Sequence, residues 1–223
     1  MVFGVILAGG TGSRMGNASK PKQYLMLGGK PVIIHTVEKF FIHNAFEKII
    51  VLCPKQWVED TKDLVKKYIP GSQGHVEVLE GGMTRNETIM NSITYIEENY
   101  GLDDSTVIVT HDSVRPFLTY RIIEENIKYG LKYGAVDTVV PATDTIVESP
   151  DGAVASSVPD RRRMYQGQTP QTFNAKKLKG LYLSLNDEEK ETLTDACKIF
   201  VLRGEDVHLV QGETFNIKIT YPY

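Results

Sequence analysis

Two cations lie in and just after a glycine-rich turn near the amino terminus of this 223-residue chain. The turn occupies residues 7–16 (LAGGTGSRMG), and Arg14 and Lys22 provide the positive charges. Backbone N–H groups of such a turn approach phosphate groups closely, because glycine has no side chain to keep them apart. Glycines next to fixed cations therefore predict a triphosphate site and chemistry at one of its phosphorus atoms.

The spacing of the glycines argues against two other kinds of nucleotide site. A dinucleotide fingerprint requires G-x-G-x-x-G and an acidic residue about twenty positions later. Here Gly10 and Gly12 are followed by Gly16, and residues 30–35 contain no acid. A Walker lysine pattern is also missing from the sequence, since Gly-Lys-Ser/Thr does not follow a glycine loop.

A second group of polar residues, THDSVRP at residues 110–116, follows an apolar run. Ligands of open α/β sheets bind outside the carboxyl ends of strands. Asp112 at such an end suits ribose hydroxyls or Mg²⁺, and Arg115 suits a phosphate. Taken alone, the pair is more typical of an ordinary salt bridge at a strand end. Coupled to the glycine turn, it favours a ligand site.

Three further segments have more than one interpretation. Residues 81–88 (GGMTRNET) either read a base edge or form a plain turn and helix cap. The run Arg161-Arg162-Arg163 favours a local anion site over a nucleic-acid face, because the chain has a net charge of -3. Cys197 is interpreted as a core thiol, and neither cysteine belongs to a metal-ligand or Cys-x-x-Cys pattern.

The elements that position these groups alternate between strands and helices. Predicted strands cover residues 2–7, 48–53, 76–79, 107–110, 135–141 and 207–211. Predicted helices cover residues 31–41, 56–68, 86–99, 119–133 and 186 to about 201. This alternation predicts an α/β fold, a single domain over residues 1–223 with a mostly parallel sheet covered on both faces.

One segment interrupts the alternation. Residues 143–148 and 153–158 are predicted to pair as two strands around the Pro150-Asp151-Gly152 turn. We interpret residues 142–166 as an arm that projects from the domain and contacts a second subunit. A surface insertion without a partner is the alternative.

Composition limits the class of protein. A net charge of -3 and a pI near 6.0 argue against a general nucleic-acid binder. Two cysteines do not form a disulfide framework. The sequence has no signal-peptide pattern and no apolar run of membrane-spanning length, so we expect a cytoplasmic protein without a membrane partner.

Taken together, the motifs resemble the cytidylyltransferases that activate polyol phosphates. The resemblance extends in order through nearly the whole chain, in the segments LAGGTGSRM (7–15), PKQ (21–23), GGMTR (81–85), HDSVRP (111–116), DT (144–145), QTPQTF (168–173), TD (194–195) and NIK (216–218). It implies a Rossmann-like nucleotidyltransferase fold, a three-layer sandwich around a mixed, mostly parallel sheet. It also implies CTP and a polyol phosphate as substrates, Mg²⁺ as the cofactor, and a homodimer formed through the arm.

The resemblance implies a role for individual residues. The proposed catalytic residues are Arg14, Lys22, Arg161 and Lys218. The proposed nucleotide-binding residues are Leu7, Ala8, Gly9, Gly10, Gly12, Gly82, Arg85, Thr88, Asp112 and Ser113. The proposed substrate-binding residues are Arg115, Asp144, Thr145, Arg161, Thr194 and Lys218. Asp112 is the proposed metal ligand, and the arm residues are expected to act across the dimer interface.

Two branches of the family compete for the substrate. Residues 110–117, 135–139 and 165–171 resemble the ribitol-5-phosphate branch, which serves teichoic-acid synthesis, more than the methylerythritol-phosphate branch of isoprenoid synthesis. Ribitol 5-phosphate is therefore the expected substrate. Sugar-1-phosphate nucleotidyltransferases share the opening glycine motif, but the TPQ and NIK segments argue against them. A catalytically silent nucleotide-binding regulator is the alternative from a different class, although binding alone needs fewer cations.

Overall fold

The computed structural model describes residues 1–10 and 20–220 as an α/β sandwich around a seven-stranded sheet, which confirms the predicted fold class. The strand order is β5-β4-β1-β6-β8-β7-β9. Only β8 among these strands runs antiparallel to its neighbours, so the sheet is mixed but mostly parallel. The strands of this sheet are β1 (Val2–Leu7), β4 (Lys48–Cys53), β5 (Val76–Glu80), β6 (Val107–Asp112), β7 (Ala135–Pro141), β8 (Tyr165–Asn174) and β9 (His208–Gln211).

Seven α-helices and a small two-stranded sheet complete the described part of the chain. The short strands β2 (Met26–Leu27) and β3 (Lys30–Pro31) pair antiparallel. The helices are α1 (Val32–Phe41), α2 (Val58–Tyr68), α3 (Arg85–Tyr100), α4 (Tyr120–Tyr133), α5 (Ala175–Leu183), α6 (Asp187–Glu191) and α7 (Cys197–Leu202). None of the helices in the described ranges is long and apolar enough to cross a bilayer.

Two apolar cores cover the two faces of the sheet. Side chains alternate across a strand, so Phe3 and Val5 of β1 enter one core while Ile6 enters the other. Helices α1, α2 and α4 pack on the Ile6 side, and α3, α5 and α7 pack on the Phe3 side. This arrangement gives the three layers that the strand–helix alternation predicts.

Strand β8 and helix α5 were missing from the sequence prediction. Proline removes a donor from a strand ladder and argues against a central strand, yet Pro170 lies within β8 between β6 and β7. The prediction of one helix over residues 186–201 is also wrong, because the segment is divided into α6 and α7. The Oδ1 atom of Asp195 accepts a hydrogen bond from the Lys198 N–H over 3.0 Å. This bond stabilises the amino-terminal end of α7 as a separate helix.

The predicted hairpin in the arm is wrong in its secondary structure. Residues 142–160 form an extended loop whose two sides meet at one antiparallel bridge, between Glu148 and Ser157. The turn itself is as predicted, since Gly152 has a φ of 72° and Asp151 Oδ1 accepts hydrogen bonds from two following N–H groups. Nearly all side chains of the arm are exposed in the single chain. A two-stranded ribbon with no buried face is marginally stable, which explains why the ladder is short.

Candidate active site

The glycine turn and Asp112 meet at the carboxyl edge of the sheet. Strands β1 and β6 are parallel neighbours, and their register pairs Leu7 with Asp112. The Ser113 N–H donates to the Leu7 carbonyl over 3.0 Å, so the pairing continues beyond β6. The two motifs that the sequence separates by about a hundred residues are therefore adjacent.

A cavity of about 400 Å³ opens at this edge. Its lining contains cations, one carboxylate and exposed backbone of the glycine turn. The lining residues are Leu7, Gly9, Gly10, Lys22, Gln23, Gly82, Met83, Thr84, Arg85, Thr88, Asp112, Ser113, Val114, Lys218 and Thr220. Most of the predicted nucleotide-binding residues are thus brought together. Arg14 and Gly12 lie outside the described residues.

Gln23 holds the described part of the glycine turn in place. Its Nε2 donates to the Ala8 carbonyl over 2.7 Å and to the Gly10 carbonyl over 3.0 Å. These bonds fix the backbone of the turn where Gly9 and Gly10 line the cavity. The sequence prediction missed this role, although Gln23 directly follows Lys22 and belongs to the PKQ segment of the resemblance.

The Gly82 segment forms the predicted turn and helix cap and also lines the cavity, whereas its reading of a base edge stays a prediction. Thr84 caps α3, and Thr84 and Glu87 form a reciprocal capping box. Gly82 also lines the cavity, and its N–H donates to Thr88 Oγ1 over 3.0 Å. A Cβ atom at Gly82 would lie 2.5 Å from Glu87 Cβ, so any other residue would displace the turn. The cap therefore shapes the cavity wall.

Asp112 is buried among three cations. Its carboxylate lies 2.9 Å from Lys218 Nζ, 3.5 Å from Arg115 Nε and 3.7 Å from Arg85 Nε. Burial acts to raise the pKa of Asp112, but the three positive charges outweigh burial and hold that pKa well below its ordinary value. Asp112 is therefore ionised at neutral pH, and it neutralises part of a strongly cationic site.

His111 and Thr169 fix the backbone at Asp112. The Asp112 N–H donates to Thr169 Oγ1 over 3.1 Å, and that hydroxyl lies 2.9 Å from His111 Nδ1. His111 Nε2 lies 3.1 Å from the Arg115 carbonyl, which only accepts, so Nε2 carries the proton and Thr169 donates to Nδ1. Burial lowers the pKa of His111 to about 4, which keeps the ring neutral.

Asn216 connects the carboxyl-terminal segment to β8 and β6. The side chain is fully buried, and its Nδ2 donates to the Thr169 carbonyl over 2.9 Å. The Asn216 carbonyl accepts from Arg115 Nη1 over 2.7 Å. The Ile219 N–H donates to the Val114 carbonyl over 3.0 Å, on the other side of Lys218. These contacts place Lys218 over Asp112.

Six predicted site residues do not line the cavity in the described part of the chain. One of them, Ala8, is buried in the core directly before the lining residue Gly9. Arg115 lies behind Asp112, where it contacts Asn216, and is not exposed to the cavity. Thr194 is exposed in the break between α6 and α7. The remaining three, Asp144, Thr145 and Arg161, are exposed on the arm, where Arg161 Nη1 donates to the Thr143 carbonyl.

The donor set is suited to a metal ion that arrives with a nucleotide. Within residues 1–10 and 20–220, no group of three or more His, Cys, Asp or Glu side chains could hold a metal ion. Mg²⁺ is often held by one or two carboxylates together with substrate phosphates, and the Asp112 carboxylate fits that pattern. Cys53 and Cys197 are both buried, and the core position of Cys197 is as expected.

Comparison with known proteins agrees with this fold. The family model "IspD: 2-C-methyl-D-erythritol 4-phosphate cytidylyltransferase" matches residues 2–223. The 4-diphosphocytidyl-2C-methyl-D-erythritol synthase of Anaerococcus prevotii DSM 20548 is 28% identical, with a TM-score of 0.80 over 99% of this chain and 90% of that chain. A second synthase of that name is also 28% identical, with a TM-score of 0.76 over 99% and 93% of the two chains.

A more distant structure supports the fold alone. The cytidylyltransferase of Francisella tularensis is 22% identical, with a TM-score of 0.79 over 98% of this chain and 94% of that chain. The fold and the cavity thus define a Rossmann-like nucleotidyltransferase. More particularly, the chain belongs to the 2-C-methyl-D-erythritol 4-phosphate cytidylyltransferase family, so it is a cytidylyltransferase.

Proposed function

We propose that this protein transfers CMP from CTP to D-ribitol 5-phosphate, which yields CDP-ribitol and pyrophosphate. A phosphate monoester is largely a dianion at neutral pH, because its second pKa is near 6. One of its oxygens attacks the α-phosphorus of CTP in line, and the bond from that phosphorus to the bridging oxygen of pyrophosphate breaks. The attacking group needs no Ser, Cys or His nucleophile.

The cations around the cavity supply what this reaction needs. Two anions must approach each other, and negative charge grows on the phosphoryl oxygens and on the departing pyrophosphate. Lys22 and Lys218 line the same cavity, and Arg85 adds a third positive charge. We assign Lys22, with Arg14, to the CTP phosphates, and Lys218 to the attacking phosphate. Mg²⁺ bound by Asp112 and the CTP phosphates would neutralise further charge on the triphosphate.

The choice of ribitol 5-phosphate rests on the resemblance of three segments, and one spatial observation supports it. The three segments that resemble the ribitol-5-phosphate branch fall on β6, β7 and β8. These strands are neighbours in the order β6-β8-β7, although their segments are far apart in the chain. Three segments can recognise one substrate only if they lie close together. Their proximity therefore supports a common substrate site beside Asp112.

The arm supplies the rest of the proposed site in a homodimer. Arg161, Asp144 and Thr145 are exposed on the single chain and lie on a segment with little buried surface. Exposed apolar side chains on the same arm, Val147, Val154 and Val158, favour packing against another protein surface. We infer that the partner's copy of the arm brings Arg161 to the attacking phosphate.

The methylerythritol phosphate reaction is the second candidate function. The matched family and the similar structures carry that name.

One assay separates the candidate functions. The purified protein with CTP and Mg²⁺ should release pyrophosphate with ribitol 5-phosphate, and mass spectrometry should detect CDP-ribitol. Product with methylerythritol 4-phosphate alone would assign the second candidate. Tight CTP binding without pyrophosphate release from either polyol phosphate would instead favour a silent nucleotide-binding regulator.

A further inference from the structure

A cluster of polar side chains lies below Asp112 on the same face of the sheet. We call it the acid–amide cluster, and it consists of Asp137 on β7, Gln171 on β8 and Asp195 before α7. Gln171 Nε2 donates to Asp137 Oδ1 over 3.0 Å and lies 3.3 Å from Asp195 Oδ2. The register pairs Gln171 with both Thr110 and Asp137. Because side chains two residues apart share a face, Asp112 points to the same side as this cluster.

The acid–amide cluster has more acceptors than donors. Gln171 is only 2% exposed, and among the described residues its Oε1 has no hydrogen-bond partner. The four carboxylate oxygens of Asp137 and Asp195 receive their contacts mainly from the Gln171 amide, the Lys198 N–H and the Cys197 thiol. Gln171 Oε1 is a buried acceptor, and buried acceptors normally find a donor. With the two partly exposed carboxylates beside it, this deficit points to a ligand rich in hydroxyl groups.

Arg85 lies between the acid–amide cluster and the cavity. The positive charge of Arg85 acts to lower the pKa of Asp112 and also that of Asp137, which burial raises. The Arg85 guanidinium is therefore close to both carboxylates. Its Nε is near Asp112, while its buried Nη1 lacks a hydrogen-bond partner in the described part of the chain. A ligand hydroxyl can donate a hydrogen bond to a carboxylate and at the same time accept a hydrogen bond from Arg85 Nη1.

Gly167 leaves room beside Asp137. A Cβ atom built on Gly167 would lie 3.8 Å from Asp137 Oδ2, so a larger side chain there would cover the carboxylate. Asp137 and Asp195 themselves are only partly buried. Gln171 pairs with Thr110 of β6, and Asp112 lies two residues further along that strand, a rise of about 7 Å. An extended five-carbon polyol phosphate covers a comparable length.

We propose that the acid–amide cluster binds hydroxyl groups of the polyol chain and that Asp137 is a specificity-determining residue. This inference rests on the proposed function, in which the substrate phosphate lies near Lys218. The polyol hydroxyls donate to Asp137 and Asp195, and Gln171 orients both carboxylates. A substrate with fewer hydroxyl groups leaves these acceptors unpaired and binds less well.

The variant Asp137→Asn tests the proposal, because it keeps the shape of the side chain and removes an acceptor. We expect its KM for ribitol 5-phosphate to rise about fivefold or more, since a hydrogen bond to a charged group is lost. The KM for CTP should stay within about twofold of the wild-type value, as expected of a contact made with the other substrate only. Asp195→Asn should behave similarly. Asp104→Asn, an exposed change far from the cluster, is the matched control.

Comparison of two polyol phosphates separates this proposal from the proposed function. The wild type is assayed first with ribitol 5-phosphate and with methylerythritol 4-phosphate. If only the latter reacts, the proposed function is wrong, and the KM of both variants for that substrate still tests the acid–amide cluster. An unchanged polyol-phosphate KM in both folded variants would overturn the inference. An equal rise in the KM for CTP would also overturn it.

Discussion

The Lys218 ammonium lies 2.9 Å from Oδ2 of Asp112, although the two residues come from distant parts of the chain. Asp112 ends a central strand, whereas Lys218 belongs to a segment without regular secondary structure. The segment is held on one side by Asn216 and on the other by the backbone bond from Ile219 to Val114. An irregular segment thereby carries a cation to the centre of the proposed site.

Asn216→Ala should lower both stability and turnover. The change removes the hydrogen bond from the buried Asn216 side chain to the Thr169 carbonyl, which costs about 1–3 kcal/mol. We also expect kcat to fall about tenfold or more, because Lys218 is no longer held over Asp112. Steady-state kinetics and thermal denaturation measure the two effects. Full turnover in a destabilised variant would show that Asn216 does not position Lys218.

Lys22→Ala should mainly lower the turnover rate. Loss of a donor that stabilises transition-state charge costs about 10²-fold in kcat. Lys39→Ala, at an exposed position of α1, is the matched loss of a lysine charge away from the cavity. Steady-state assays of pyrophosphate release compare the two variants. An unchanged kcat in Lys22→Ala would refute the catalytic assignment.

The assignment of Arg161 to the neighbouring site predicts complementation between inactive variants. Lys22→Ala and Arg161→Ala should each be poorly active alone. When they are mixed under conditions that exchange subunits, half of the dimers are hybrids with one intact site, so roughly a quarter of wild-type activity should return. A double variant mixed with wild type controls for exchange. If no activity returns while exchange is demonstrated, Arg161 acts within its own chain or not at all.

Asp137 should make stability fall as the pH rises toward neutrality. Burial first, and the charge of Asp195 in addition, raise the pKa of Asp137 from 3.8 to about 6. The unfolded state therefore binds fewer protons between these values, and the folded state loses stability as the pH rises through them. Asp137→Asn removes this penalty. We expect its melting temperature to exceed that of the wild type by about 2–4 °C above pH 6, or about 1 kcal/mol, and by less near pH 4.

A control at low pH identifies the source of that gain. Near pH 4 both Asp137 and its replacement are uncharged in the folded state, so the two melting temperatures should converge. A difference that stays constant from pH 4 to pH 8 would show that packing, rather than the buried charge, causes it.

The parallel part of the sheet was predictable because its strands are continuous apolar runs. Strands β1, β4 and β7 have the predicted bounds, and glycine turns and acids follow the strands that point to the site. Strand β8 was not predictable from such a pattern, since it contains polar residues and Pro170. Helices α6 and α7 were joined in the prediction, because apolar spacing continues through the break that Asp195 introduces.

The parts of the site that lie in short motifs next to predicted strands could be predicted from the sequence. The glycine turn, Lys22 and Asp112 are motifs at strand ends, and the cavity joins them. The role of Gln23 was missed because its side chain donates to the carbonyls of Ala8 and Gly10, and no local sequence pattern predicts hydrogen bonds between residues that far apart. Arg115 was assigned to a phosphate, but in the folded chain its guanidinium contacts Asp112 and the Asn216 carbonyl. Only three-dimensional contacts distinguish these two uses of an arginine.

The central claim is that this cytidylyltransferase uses ribitol 5-phosphate. The most direct test supplies CTP, Mg²⁺ and equal concentrations of ribitol 5-phosphate and methylerythritol 4-phosphate in one reaction. Phosphorus NMR then follows both nucleotide products together, and their initial rates give the ratio of kcat/KM. We predict that CDP-ribitol forms first and at least tenfold faster, a margin that missing hydroxyl contacts readily supply. Faster formation of the methylerythritol product would contradict the claim.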